Sequence, residues 1–179
     1  MEPKPGTART PEGAAVTVRV ATPADAATVW QLLHGLAEFE KLAVTGSPEK
    51  LALHLSHEVW PPVDGFLAEV GGEAVGYALY FGTFSSFRTQ PMVWLEDLFV
   101  RPSHRGTGAG AALFRAVARA TVERGCARLN WAVLDWNEPA MEFYQRLGAT
   151  RQSDWFVYEL DGTPLRAAAE AAPDTSRST

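Results

Sequence analysis

The sequence predicts an α/β domain in which helices cover both faces of a central sheet. Three observations carry that expectation. Runs rich in β-branched and aromatic residues recur between segments of helical spacing, in the order β-α-α-β-β-β-α-β-α-β and with no internal repeat. Thr22-Pro23, Ser47-Pro48 and Gly71-Gly72 punctuate those runs with helix starts and a turn. Finally, 179 residues, at about 150 per domain, hold one domain and exclude a second catalytic one, so helices and strands must share a single fold.

Both ends are expected to be disordered tails: 1–14 is rich in Pro, Gly and Thr, and 163–179 is mostly Ala, Ser, Thr and Pro. The folded part is then 15–162. Val16, Val18 and Val20 alternate as a first strand. Thr22-Pro23-Ala24-Asp25 supplies an N-cap, a proline at the first helical position and an early acid, followed by Val29, Leu32, Leu33 and Leu36 on one helix face. Ser47-Pro48-Glu49 repeats the signal for a short helix through Leu51 and Leu55. Gly65 to Val70 and Ala74 to Phe84 are strands split by the Gly71-Gly72 hairpin turn, and Met92 to Val100 is a third β-rich run. Residues 106–124 open on glycines and continue with Leu113, Phe114, Val117 and Ala120 at helical spacing, stopping near Gly125. Leu129 to Leu134 is expected as a strand, Asn137 to Leu147 as a capped helix ending at Gly148, and Trp155 to Leu160 as a last strand.

Composition narrows the function. No apolar stretch approaches the roughly 18 residues needed to span a bilayer, and the opening MEPKPGTARTPEG lacks the apolar core of a secretory signal. The one cysteine, Cys126, excludes an internal disulfide and a multi-thiolate metal site; it fits a reducing compartment, so a cytoplasmic location is expected. His34, His54, His57 and His104 share no metal-ligand spacing, so no metal is expected. A net charge of -5 argues against a nucleic-acid binder working through a general positive field. The charge is unevenly spread: 15–100 carries 4 bases and 10 acids, 101–151 carries 8 bases and 4 acids, and 152–162 carries 3 acids. A basic segment facing an anion and an acidic one facing a cation is the simplest arrangement of those charges.

The segment Arg101-Pro-Ser-His-Arg105-Gly106-Thr107-Gly108-Ala109-Gly110 joins a strand to a helix. Small residues there let successive N–H groups converge at the positive end of the helix, where a diphosphate is the natural guest. Gly106, Gly108 and Ala111 formally match the dinucleotide fingerprint, but five residues intervene after the strand and the nearest acid, Glu123, lies within the helix. A Walker loop needs Lys-[Ser/Thr] where Ala111-Ala112 stand.

At this junction the chain resembles the GNAT superfamily of N-acetyltransferases, whose acetyl-CoA loop is [Gln/Arg]-x-x-Gly-x-[Gly/Ala]; Arg105 to Gly110 fits it in full. The likeness runs over nearly all of 15–162 and is nearest to the diamine (spermidine/spermine-type) and thialysine acetyltransferase branch. It is carried by Leu36-Ala37-Glu38-Phe39-Glu40, Leu95-Glu96-Asp97-Leu98-Phe99-Val100, Trp136-Asn137-Glu138-Pro139-Ala140, Phe143-Tyr144 and Leu147-Gly148-Ala149. The resemblance implies a mixed, mostly antiparallel sheet with helices on both faces and splayed strands that bind acetyl-CoA. It also implies transfer of an acetyl group to the primary amine of a small cationic acceptor, a diamine, polyamine or thialysine-like amino acid. Two alternatives stay open: a protein lysine or N-terminal acetyltransferase of the same fold, and a non-catalytic CoA-binding module.

By that resemblance Leu98, Phe99 and Val100 hold the pantetheine arm, Arg105, Gly106, Thr107, Gly108, Ala109, Gly110 and Ala111 the pyrophosphate, and Asn137, Glu138, Pro139, Ala140 and Tyr144 more of the CoA. Tyr144 matches the general acid. Glu96, with Phe39, Glu40, Asp97, Asn130, Trp131 and Ala132, matches the acceptor site, and Trp155 is a candidate wall for it. Where diamine enzymes have an acidic pair before the last-strand tryptophan, only Asp154 stands here. A homodimer with no nucleic-acid or membrane partner completes the expectation.

The chemistry wants these types. An alkyl ammonium with a pKa of about 10.4 must lose a proton before it can attack a thioester, which Glu96 can take through water. The Leu98 N–H is a candidate donor to the developing oxyanion. Glu96 and Asp97 sit in an otherwise apolar strand, where an unpaired carboxylate is costly to bury.

Overall fold

The computed structural model describes residues 15–170, so the expected tail 1–14 and residues 171–179 lie outside the described residues. The chain divides into two compact units between Ala132 and Val133.

The first unit holds the sheet. Its strands are β1 (Val16–Val20), β2 (Asp64–Val70), β3 (Glu73–Ser85), β4 (Gln90–Val100) and β5 (Leu129–Asn130), in the order β1-β2-β3-β4-β5. β1 to β4 pair antiparallel and β5 pairs parallel to β4. The mixed, mostly antiparallel sheet is the expected one.

Local chemistry sets the helices. The Arg19 guanidinium forks onto both Asp25 oxygens at 2.8 Å, and Asp25 in turn accepts from the Thr22 N–H and hydroxyl at 2.8 Å. That cluster holds the Asp25 carboxyl well below the usual carboxylate range, chiefly through Arg19, and turns the chain from β1 into α1 (Ala26–Glu40). The Ser47 hydroxyl accepts from the Lys50 N–H at 3.3 Å and starts α2 (Pro48–Leu55).

Both faces of the sheet are covered. Ala68, Ala78, Tyr80, Val93 and Leu95 pack against Leu113 and Val117 of α3 (Ala109–Glu123). On the opposite face Leu67, Tyr77, Leu79 and Phe99 pack against Val29 and Leu32 of α1 and Leu55 of α2. Adjacent strand residues such as Leu67 and Ala68 are therefore both buried, the mark of a sheet covered on two sides. Gly35 lets α1 lie on the Phe99 ring: a Cβ there would stand 2.9 Å from Phe99 Cζ.

One irregularity decides what β4 presents. Leu79 pairs with Asp97 and Tyr80 with Leu95, so Glu96 is an extra residue, a β-bulge. A regular pleat would put 93, 95, 97 and 99 on one face. Instead Val93 and Leu95 face α3, whereas Phe99 faces α1, and Asp97 joins Tyr77 on that side.

The second unit contains α4 (Glu138–Arg146) and α5 (Gly162–Glu170). The Asn137 side chain accepts from the Ala140 N–H at 3.3 Å and caps α4, as the sequence predicts. Two strand expectations are corrected. The strand predicted over Leu129 to Leu134 is only Leu129–Asn130. Trp155 to Leu160 forms no strand, and Trp155, Phe156, Val157 and Tyr158 are 77 to 91% exposed. Strand propensity expresses packing on a pleated surface, and without a ladder partner it does not make a strand. The tail expected from 163 overlaps α5, whose alanines favour helix; none of its residues is buried.

Candidate active site

β4 and the loop after it build one side of the site. Among the described residues β5 pairs with β4 only at Val93 and Trp94, and none gives that edge of β4 a ladder partner from Leu95 to Val100. The Arg101 N–H bonds to Val75 O on β3 at 2.9 Å, and backbone groups alternate along a strand. The N–H groups of Leu98 and Val100 thus point away from β3, toward the open edge. The Arg105 Nε approaches Val100 O at 3.4 Å on that edge.

The loop is preorganised by glycine. Gly106 and Gly108 have φ of 81° and 89°, a conformation that L side chains rarely adopt, and nothing lies within 4 Å of where a Cβ would stand on either. Gly108 is the N-cap of α3, and its C=O accepts from the Ala112 N–H at 2.9 Å. The first-turn N–H groups of Ala109, Gly110 and Ala111 precede that bond and have no intrahelical acceptor. The Thr107 hydroxyl donates to His104 O at 2.8 Å and closes the turn. Arg105 lies over the Phe39 ring, 5.0 Å from its centroid, so the loop meets the end of α1.

The bulge gathers the acids. Glu96 is exposed, and its Oε2 accepts from Trp94 Nε1 at 2.8 Å. Asp97 accepts from the Tyr77 hydroxyl at 3.1 Å; burial, with the Glu96 and Glu40 charges adding, pushes its carboxyl up to about 6 despite that bond. Glu40, at the end of α1, is also pushed up by burial. Tyr77 is 0% exposed, and burial beside Asp97 drives its phenol far above the usual range. Glu40, Glu96 and Asp97, predicted from sequence for the acceptor site, are thus within electrostatic reach of one another. Asn130 and Trp131 are half-buried at the end of β5, with Trp131 packed edge-on to Phe114 at 5.3 Å, and Ala132 is exposed.

Next to Glu96 is a cavity of about 260 Å³, walled by Leu51, Pro61, Val63, Leu79 and Phe81 and joined by His54. Sequence reasoning missed these residues and Tyr77. Tyr77 had one available signal: an acid at 97 in an apolar strand demands a donor, and a hydroxyl on the neighbouring strand is the simplest supply.

A model of the acetyltransferase (GNAT) family matches residues 31–149. The chain belongs to the GNAT acetyltransferase family. Thialysine N-epsilon-acetyltransferase of Bos taurus is 34% identical over 164 residues, which cover 84% of this chain and 95% of that protein. The enzyme of the same name from Caenorhabditis elegans is 33% identical over 154 residues, covering 83% and 94%. Among solved structures, an integron cassette protein from the mobile metagenome of V. cholerae is similar with a TM-score of 0.71 and 26% identity, covering 89% of this chain and 100% of its own.

As a GNAT protein the chain is an N-acetyltransferase, and acetyl-CoA is the co-substrate of its family. The loop fits such a ligand: open space stands before Gly106 and Gly108, and the first-turn amides of α3, which have no intrahelical acceptor, are the kind of donors an anion takes.

Within the second unit, Asn137 caps α4, and Glu138, Pro139 and Ala140 form its first turn. Tyr144 is half-buried, 5.1 Å from the Phe143 ring, and burial pushes its phenol up to about 12. Trp155 lies in the irregular segment described above. Cys126 is half-buried against the α3 side of the core. No group of three His, Cys, Asp or Glu that could hold a metal ion occurs among the described residues, and no described helix is long and apolar enough to cross a membrane.

Proposed function

We propose that the protein moves the acetyl group of acetyl-CoA to the primary amine of a small acceptor by direct attack. The observation that carries this reading is the bulge at Glu96, which leaves one carboxylate exposed beside a half-buried one, on the strand that leads into the glycine loop. The small amine is supported by the two thialysine N-epsilon-acetyltransferases, alike over more than 80% of this chain.

Glu96 takes the proton that the ammonium must lose, directly or through water, a contribution of about 10² to 10⁴ for a general base. Leu98, Phe99 and Val100 line the pantetheine arm along the open edge. The Leu98 N–H donates to the thioester oxygen as negative charge develops there, worth roughly 3 kcal/mol for a preorganised donor. Arg105 and the amides of 106–111 take the diphosphate, and Asn137 to Ala140 add CoA contacts. Tyr144 gives its proton to the departing sulfur. A phenol near 12 donates uphill to a thiolate whose thiol pKa is about 8.5, so it hydrogen-bonds first and transfers late.

A free-thiol assay over a panel of small amines and lysine peptides tests the reading. Turnover of small amines is expected; turnover of peptides alone would replace the acceptor class, and none at all would leave a CoA-binding module. Tyr144→Phe should lower kcat about tenfold or more with little change in acetyl-CoA affinity. Unaltered kcat would remove Tyr144 from the mechanism.

A further inference from the structure

We infer that Tyr77 is a positioning residue of the acceptor site: its hydroxyl keeps the Asp97 carboxyl charged, so that at neutral pH the cationic acceptor meets a second carboxylate beside Glu96. The inference rests on the acetyl-transfer reading and deepens its acceptor end.

Register brings the groups together. Tyr77 and Leu79 lie on the α1 and α2 face of β3, opposite Phe99 and Asp97 of β4. The bulge turns both acids to that face: Glu96 lines the open groove with Leu51 and Leu79, and Asp97 Oδ2 accepts from the Tyr77 hydroxyl at 3.1 Å. Tyr77 is fully buried, its ring centroid 6.3 Å from that of Phe99, so the hydroxyl donates from a fixed place. Burial beside Asp97 also holds the phenol in its protonated form. The other carboxyl oxygen, Oδ1, has no donor among the described residues. No buried side-chain oxygen there lacks a partner, so Oδ1 opens to solvent, where an ammonium can reach it.

The surroundings of Asp97 otherwise oppose its charge. Burial, Glu96 beside it on β4 and Glu40 at the end of α1 all favour the protonated carboxyl, and the Tyr77 O–H from β3 works against them. Among the described residues no lysine, arginine or histidine pairs with Asp97, so the hydroxyl is the group that stabilises the carboxylate. With a carboxyl at about 6, Asp97 is mostly ionised at pH 7. Without the hydroxyl it ionises only at higher pH.

The test is kcat/KM of wild type and Tyr77→Phe between pH 6 and 8.5, by thiol release at saturating acetyl-CoA. The acceptor is 1,5-diaminopentane, or the fastest small amine of the panel if that is another. Dividing the variant's value by the wild type's at each pH cancels the ionisation of the amine and of Glu96. The quotient should be about one fifth at pH 6 and return to near one at pH 8.5, as for a carboxyl moved up by about one pH unit. A quotient that is flat with pH overturns the inference: near one, Tyr77 plays no part, and uniformly low, it only packs. In an Asp97→Asn background Tyr77→Phe should change kcat/KM by less than about twofold, because the group it acts through no longer ionises. A larger loss there overturns the inference, and if the double variant misfolds the single variant's pH profile decides. No thiol release from any amine, with acetyl-CoA still bound, overturns the acetyl-transfer reading instead.

Discussion

On the α3 side of the sheet Val93, Leu95, Leu113 and Val117 pack with no buried charge, and the buried polar residue there, Thr121, satisfies itself on Val117 O at 2.8 Å. On the α1 and α2 side Tyr77 and Phe99 pack beside the half-buried carboxylate of Asp97, and Glu96 lines an open groove. The same strands supply both faces. The difference teaches that one inserted residue, Glu96, divides β4 into a half packed on α3 and a half turned toward α1, Tyr77 and the acids, because it reverses which side chains point where.

If that division is right, substitutions on the two faces should have opposite signatures. The largest effect is expected from Glu96→Gln: kcat/KM falls about a hundredfold or more by steady-state assay, while the urea midpoint moves little. A small loss of activity would deny Glu96 the role of base. Leu113→Ala, on the other face, should cost about 3 kcal/mol in urea unfolding and leave the amine KM unchanged. A shifted KM would show that the faces are not separable.

Asp97 offers a sharper test. Its carboxyl titrates at about 6 in the folded chain against 3.8 ordinarily, so the folded state holds the proton more tightly. The stability from that proton is complete below about pH 4 and is lost as pH rises through about 6. Asp97→Asn lacks this loss, so its unfolding free energy relative to wild type should rise by about 2 kcal/mol between pH 4 and 7 and stay level above. A difference that is flat across the range would mean that Asp97 is not held in a desolvated site. The smallest effect belongs to Tyr77→Phe. It removes the donor to Asp97 and should cost about 1 kcal/mol, more at pH 8, where the carboxylate is ionised, than at pH 5. Equal costs at the two pH values would break the pairing.

Much of this was legible from residues alone. Pro48 with its capping neighbour, Asn137 before its helix, and the glycines at 106 and 108 act through contacts a few residues away, and α2 and α4 begin where the sequence placed them, whereas Pro23 opens a 3-10 turn and α1 follows at Ala26. The acidic segment brought Glu40, Glu96 and Asp97 together as the charge pattern suggested. The misses are non-local. Trp155 to Leu160 has strand composition and no strand, since a strand exists only with a partner. Tyr77 looked like any core tyrosine until register set it opposite Phe99 and its hydroxyl met Asp97.

The sequence by itself determined the family, the starts of α2 and α4 and the glycine turn before α3, because capping, proline geometry and glycine's left-handed freedom operate within a few residues. Only the tertiary structure decided that Glu96 is a bulge, that Asp97 turns toward Tyr77, and that Leu51, Val63, Leu79 and Phe81 stand beside Glu96. Those facts depend on how β4 registers against β3 and on what α2 lays over them, and pairing between distant segments is settled by the whole core.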